Sequence, residues 1–477
     1  MSDASYLAAA QGALVLSPLP KRGGAEAVVR AATWHNLIHR IGHHVPLLFA
    51  HDLGRLLSEG KPQSIGHEAA DLAAAGIGPG SGIVRLLQAY RALIRDLAQT
   101  ELVHRAPGLS LSNEAIAALV ARILAPVLEP MGPQAARAYL SRDLPLDAGA
   151  YEIVDPPSLF AEHGAGYEEV AMRWLAERHQ QVLTNAERVD LDTLRLIALF
   201  GGDASLVGPM AALDLYRVFD DPAAADVIHF SLELLPQILE TKRSRGMQRF
   251  SVDGVAGIHR RGNPDQIVPT ELAYPDDVFA HKVAENQLLY YGREAERETE
   301  RRVHLVLIDA SASMRGARAI FARGLALTLV KKLVLMGEEV QVRFFDSRLH
   351  EAIRITEKNY RLPYLLTFRS ERGRNYAHVF RSLLGALSTL RKTAGRQAAV
   401  YFLTHGQCHI PVGTVEALVS VAYLYGIYVL ADEISLDYLP LLQRYRVVTR
   451  DDLSQRGQRR RAALEIVEEV SGEAHAA

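Results

Sequence analysis

At Val303 the apolar pattern of this chain changes character. Upstream, apolar residues recur at helical spacing. From Val303 they gather into short unbroken runs, the first being VHLVLID, which ends on Asp309. Such a run is expected of a strand buried on both faces, and that needs helices covering both sides of a sheet. The downstream text supplies them in alternation. The patterns predict helix over 317–336, strand over 340–345, a turn at Asp346 and Ser347, and a short strand over 349–355. Helix over 378–390, strand over 398–403, helix over 415–425 and strand over 427–431 follow, then helix over 437–444 and strand over 446–448. This alternation implies an α/β domain with a mostly parallel, doubly wound sheet. Sheets of that kind bind ligands at the C-terminal ends of their strands.

Residues 1–245 read as an α-helical region of one or two subdomains. The stripe Leu86, Leu87, Tyr90, Leu93, Ile94, Leu97 follows helical spacing, with Arg and Asp on the other face. Asn113 is suited to cap the helix carrying Ile116, Leu119, Val120 and Ile123. Val227, Ile228, Phe230, Leu234, Leu235 and Ile238 form another stripe. Residues 246–300 read as a connector. Its Pro, Gly and Asp content predicts irregular chain, a helix over 278–291 ends it, and REAERETERR (293–302) is a solvated charge run. The α/β domain spans 301–450. Residues 451–477 read as a charged tail, basic in RGQRRR and acidic in EIVEEVSGE.

Several function classes are disfavoured. A net charge of −2 gives no bulk attraction for polyanions. The single cysteine, Cys408, allows neither an internal disulfide nor a zinc site built on two thiolates, and a reducing cytoplasm fits. No basic n-region opens the chain, and no run reaches the ~18 apolar residues of a membrane span. GIGPGSG, at Gly76–Gly82, lacks the preceding strand and following Lys-Ser/Thr of a phosphate loop, so it reads as a break between helices. His35, His39 and His43 share a helical spacing but lack the Glu of H-E-x-x-H, so a polar helix face is the favoured reading. His405, Cys408 and His409 read as loop residues, and no G-x-S-x-G elbow is present. The chain is therefore not expected to be an enzyme.

The first strand ends in Asp309-Ala310-Ser311-Ala312-Ser313-Met314, a D-x-S-x-S motif at a strand-to-helix turn. One carboxylate and two hydroxyls spaced two residues apart can face one point, as a hard cation such as Mg²⁺ requires. Here the chain resembles the von Willebrand factor A (VWA) domain, a Rossmann-like fold whose metal-ion-dependent adhesion site (MIDAS) opens with this motif. The resemblance covers about a third of the chain. It implies a Thr from a second loop and an Asp from a third. In their places stand Arg374 or Asn375, within Arg372-Gly373-Arg374-Asn375-Tyr376, and His405, within Leu403-Thr404-His405-Gly406. Two arrangements remain open. Asp309, Ser311, Ser313 and Asn375 hold Mg²⁺, or Arg374 pairs with Asp309 and replaces the ion. A fixed guanidinium repels a cation, which favours the second.

The order of a helical region, a connector and a VWA-like domain resembles bacterial VWA proteins that act beside MoxR-type AAA+ ATPases. That resemblance implies a non-catalytic adaptor with a protein partner, docking through Met314, Arg374 and His405. A Ro-like RNA-binding protein is the alternative. It would use exposed arginines such as Arg85, Arg91, Arg95 and Arg105, but acidic residues interrupt them and nucleic acid is not the expected partner. A chelatase-type subunit is a weaker third reading, lacking the usual acidic or Pro-rich linker.

Overall fold

The computed structural model describes residues 3–20, 24–131, 142–151, 156–164, 166–200, 206–249, 255–259, 267–285, 287–293, 302–369, 373–394, 396–430 and 434–476. Up to residue 249 all regular structure in the described chain is helical. The expected stripe lines the Ile83–Leu97 helix, where Leu87, Tyr90, Leu93, Ile94 and Leu97 are buried. The Asn113–Leu128 helix is central and buried on almost every side. Its cap lies one residue earlier than expected. Ser112 Oγ accepts from Ala115 N at 3.3 Å, the reach of a hydroxyl just before the first turn. Asn113 Oδ1 instead accepts from the Trp34 indole at 2.9 Å. Gly76, at φ 74, turns the chain between helices as its glycine-rich surroundings suggested.

The connector is more ordered than its composition implied. Strand β1 (Val255–His259) pairs antiparallel with β2 (Tyr290–Arg293). The intervening helix, Asp276–Ala284, stops short of Tyr290 and Tyr291, whose aromatic rings favour a strand. The 293–302 charge run is described only at Arg293 and Arg302.

The C-terminal part is the expected α/β unit. Strands β3 (Val303–Asp309), β4 (Glu339–Phe345), β5 (Ile353–Ile355), β6 (Ala398–Thr404), β7 (Ala422–Val429) and β8 (Arg444–Val448) form one sheet ordered β5-β4-β3-β6-β7-β8. Every neighbouring pair is parallel except β4 and β5. Strands β3 and β6 are buried at every position, as their continuous apolar runs require. The Ala317–Leu335 and Arg456–Ala476 helices cover one face, and the Tyr376–Ala394 and Val412–Val419 helices the other. Strand β7 begins earlier than expected, because the preceding helix ends at Val419. Gly426, between the expected helix over 415–425 and strand over 427–431, lies inside β7: a Cβ there would lie 2.8 Å from the Tyr428 ring and 3.0 Å from Phe402, a close approach within the strand. The expected helix before β8 shrinks to a 3-10 turn, Leu439–Leu441, around Pro440.

The anticipated tail is a docked helix. Arg456–Ala476 buries Ala463, Ile466, Val467 and Val470. Glu469 accepts from Tyr425 OH at 2.6 Å, and Glu465 pairs with Arg446 at 2.7 Å. Its charges had masked a narrow apolar stripe. Nor does the core divide near residue 245. The Pro222–Arg249 helix packs on Ala317–Leu335, with Phe230 stacked on Phe321 at 5.3 Å. Phe200 meets Tyr360 edge-on at 4.6 Å, and the Lys331 ammonium lies over both rings. Among the described residues no helix is long and apolar enough to cross a membrane.

Candidate functional site

Strand β3 sits where the sheet order reverses. The chain leaves it towards β4 on one side and returns to β6 on the other. The crevice at the C-terminal ends of such strands is the usual ligand position. Asp309 closes β3 there, and Thr404 closes β6. The D-x-S-x-S loop follows as a single 3-10 turn, Ala312–Met314. Gly316 then adopts φ 70 before the Ala317–Leu335 helix begins. That left-handed conformation explains a glycine where open space would admit a side chain.

Asp309 is 2% exposed, so its carboxylate must be satisfied from within. Oδ1 accepts from Ser311 N at 2.8 Å. Oδ2 accepts from Thr404 Oγ1 at 2.6 Å and from Tyr376 OH at 3.1 Å. Tyr376 also meets His405 Nε2 at 2.8 Å, and Gln407 N donates to His405 Nδ1 at 3.1 Å. The backbone amide fixes the tautomer, since Nδ1 must accept and the proton must sit on Nε2. A one-way chain results: His405 donates to Tyr376, and Tyr376 donates to Asp309. A neutral His405 agrees with its pKa, lowered chiefly by burial. Asp309 opposes that shift, while Arg374, Arg318 and His409 add to it. The Tyr376 phenol is pushed up, by burial first and then by the Asp309 charge.

The rim of the site is cationic. Arg374 Nη1 donates to Ser313 Oγ at 3.4 Å and to Gln407 Oε1 at 3.2 Å. Arg318 donates to the backbone oxygens of Ser313 and Leu430 at 3.0 and 3.1 Å. Ser311 is 3% exposed, and its Oγ makes no hydrogen bond of good geometry. It nevertheless lies near enough to the Tyr376 phenol to favour that group's ionised form.

The residues first singled out therefore separate. Asp309, Ser311 and Ser313 share one loop. Asn375 turns away, its Oδ1 accepting from His378 N at 3.1 Å at the start of the Tyr376–Ala394 helix. Met314 is 1% exposed and belongs to the core beneath the loop, so it is not a surface contact. His405 is equally buried, at 3%, and acts through Tyr376. Arg374 is exposed and binds Ser313 and Gln407, not Asp309, so the anticipated pairing is absent. Tyr376, Thr404, Gln407 and Arg318 were missed as functional residues. Tyr376 and Thr404 lay inside the two loops already singled out, and a buried Asp without its usual partners was the signal that some neighbouring hydroxyl must donate.

These donors do not fit a divalent cation. Both Asp309 oxygens already accept hydrogen bonds, Asn375 caps a helix, and the guanidinium of Arg374 lies on Ser313 Oγ. Mg²⁺ needs an oxygen octahedron, usually including carboxylate charge, and a guanidinium supplies the opposite.

The other early candidates have structural partners. His35 is buried against the Val45 and Arg142 carbonyls, His39 pairs with Asp143 and His43 with Glu129. Cys408 is buried and its thiol pKa is raised, chiefly by burial, while His409 is exposed. Among the described residues one other trio could share an ion, Asp190, Asp192 and His229. Both Asp190 oxygens there already cap the Leu191–Leu199 helix.

No family model matches the chain, and no curated protein matches it. Among solved structures, the conserved hypothetical protein BatB from Bacteroides thetaiotaomicron is similar at 17% identity and a TM-score of 0.26. The match covers 36% of this chain and 98% of BatB. A likeness that low carries no argument about role.

Proposed function

We propose that this chain is a non-catalytic adaptor. In this reading its C-terminal unit is a VWA-type domain with an altered MIDAS, and the loop face around Asp309 docks a protein partner. The observation that carries the reading is the placement of the D-x-S-x-S loop at the switch point of the sheet, beneath an exposed Arg374. Binding suits this geometry better than catalysis. His405, the imidazole beside the buried hydroxyls among the described residues, has both ring nitrogens committed, so it cannot take a proton from Ser311. The partner proposed is an AAA+ ATPase of the MoxR type, with the chain working in the cytoplasm. Purification of the full chain from its native host tests this. An AAA+ ATPase should co-elute, and Arg374→Asp should release it. Preparations that never contain such an ATPase would remove this choice of partner.

A further inference from the structure

The misfit between the site and a metal ion has a positive side. Resting on the adaptor reading, we infer that the Asp309 loop face is a metal-independent receptor for a carboxylate side chain of the protein partner, with Arg374 as the group that grips it. Three observations carry this.

The first is local charge. In a site built for a divalent ion, carboxylates outnumber cations. Here two guanidinium groups, Arg374 and Arg318, bear on His405 together with Asp309, and the other carboxylate nearby, buried Asp346, faces His350 at 3.1 Å. The third loop contributes a neutral imidazole, held neutral by the Gln407 amide on Nδ1. Such a balance repels Mg²⁺ and attracts an anion.

The second is the state of Arg374. It is exposed, and among the described residues its hydrogen bonds reach neutral oxygens through Nη1. No described residue engages Nη2 or Nε, the pair of donors that suits a bidentate carboxylate, the geometry in which arginine binds most strongly. Ser313 Oγ and Gln407 Oε1 hold the guanidinium over the loop, which lowers the ordering cost of binding.

The third is Ser311 Oγ, 3% exposed in the same loop, which makes no hydrogen bond of good geometry although the Tyr376 phenol lies beside it. A buried hydroxyl with so weak a contact keeps capacity for a further partner. A carboxylate arriving at Arg374 brings acceptor oxygens to this loop.

The test uses the full-length protein and a fluorescent deca-glutamate peptide, followed by anisotropy at low salt in EDTA. Binding should be measurable in EDTA, unchanged by added Mg²⁺, and weakened at least about tenfold by Arg374→Ala. Arg461→Ala, on the exposed side of the C-terminal helix, should leave it unchanged. Arg374→Lys should restore only part of it, because an ammonium cannot make the bidentate pair. No binding, binding that needs Mg²⁺, or equal losses in Arg374→Ala and Arg461→Ala would each overturn the inference. A failed ATPase co-elution with intact peptide binding would refute only the choice of partner.

Discussion

Two buried histidines illustrate how single residues set the behaviour of this chain. His35 is enclosed against two carbonyls, and burial holds its pKa down to about 4. The unfolded chain therefore binds a proton more readily than the folded one. Stability from this group is complete above the ordinary value of 6.5 and is lost as pH falls towards 4. The gap corresponds to roughly 3 kcal/mol. Urea melts at pH 7 and pH 4.5 should show the loss, and His35→Gln should flatten the dependence. His405 contributes with the same sign, since its pKa is also lowered. Tyr376→Phe removes the acceptor of His405 Nε2 and one donor to Asp309. It should cost about 1–3 kcal/mol, the range for stranding a buried polar group. An unchanged urea midpoint would mean that water replaces the phenol. Asp309, Ser311 and Ser313 were legible in the sequence because the motif is local. The roles of Tyr376 and Thr404 were not, because a hydrogen bond across 67 or 95 residues has no local signature.

At the scale of elements, continuous apolar runs announced β3 and β6, and the breaks between elements were harder to place. The onset of β7 was missed because apolar residues on both sides of Val419 fit either period. Gly426 fell between the expected helix over 415–425 and strand over 427–431, yet it marks packing against Phe402 and Tyr428. The C-terminal helix was concealed by its arginines and glutamates, which line the solvent side of a four-residue apolar stripe. A second glycine gives the sharpest test of element packing. A Cβ at Gly324 would lie 2.4 Å from the Phe230 ring, so the two helices approach through this position. Gly324→Ala should destabilise by roughly 1–3 kcal/mol through overpacking, although alanine is the better helix former. A rise in thermal midpoint would show that the interface yields easily.

For the whole molecule, composition and patterning separated a helical half from an α/β half, and the structure keeps that order. What the sequence did not reveal is that the halves share a core. The Pro222–Arg249 helix bears an apolar stripe like any other, and nothing in its spacing says which neighbour it will meet. In the fold it joins Phe230 to Phe321, and its Glu233 pairs with Arg456 of the C-terminal helix at 2.6 Å. A fragment starting at residue 301 should therefore expose the Phe321 face and aggregate. In the intact chain the Phe200–Tyr360 and Phe230–Phe321 pairs should come apart in the same step, which calorimetry would register as one dominant transition. Two well-separated transitions would contradict a shared core.

The loop face itself is tested most directly by isothermal titration of Mg²⁺ into the purified chain, with Asp309→Ala beside it. The expected result is no saturable heat in either protein, because Arg374 and a neutral His405 stand where an ion would need oxygen ligands and negative charge. Saturable binding by the native chain that Asp309→Ala abolishes would contradict the account.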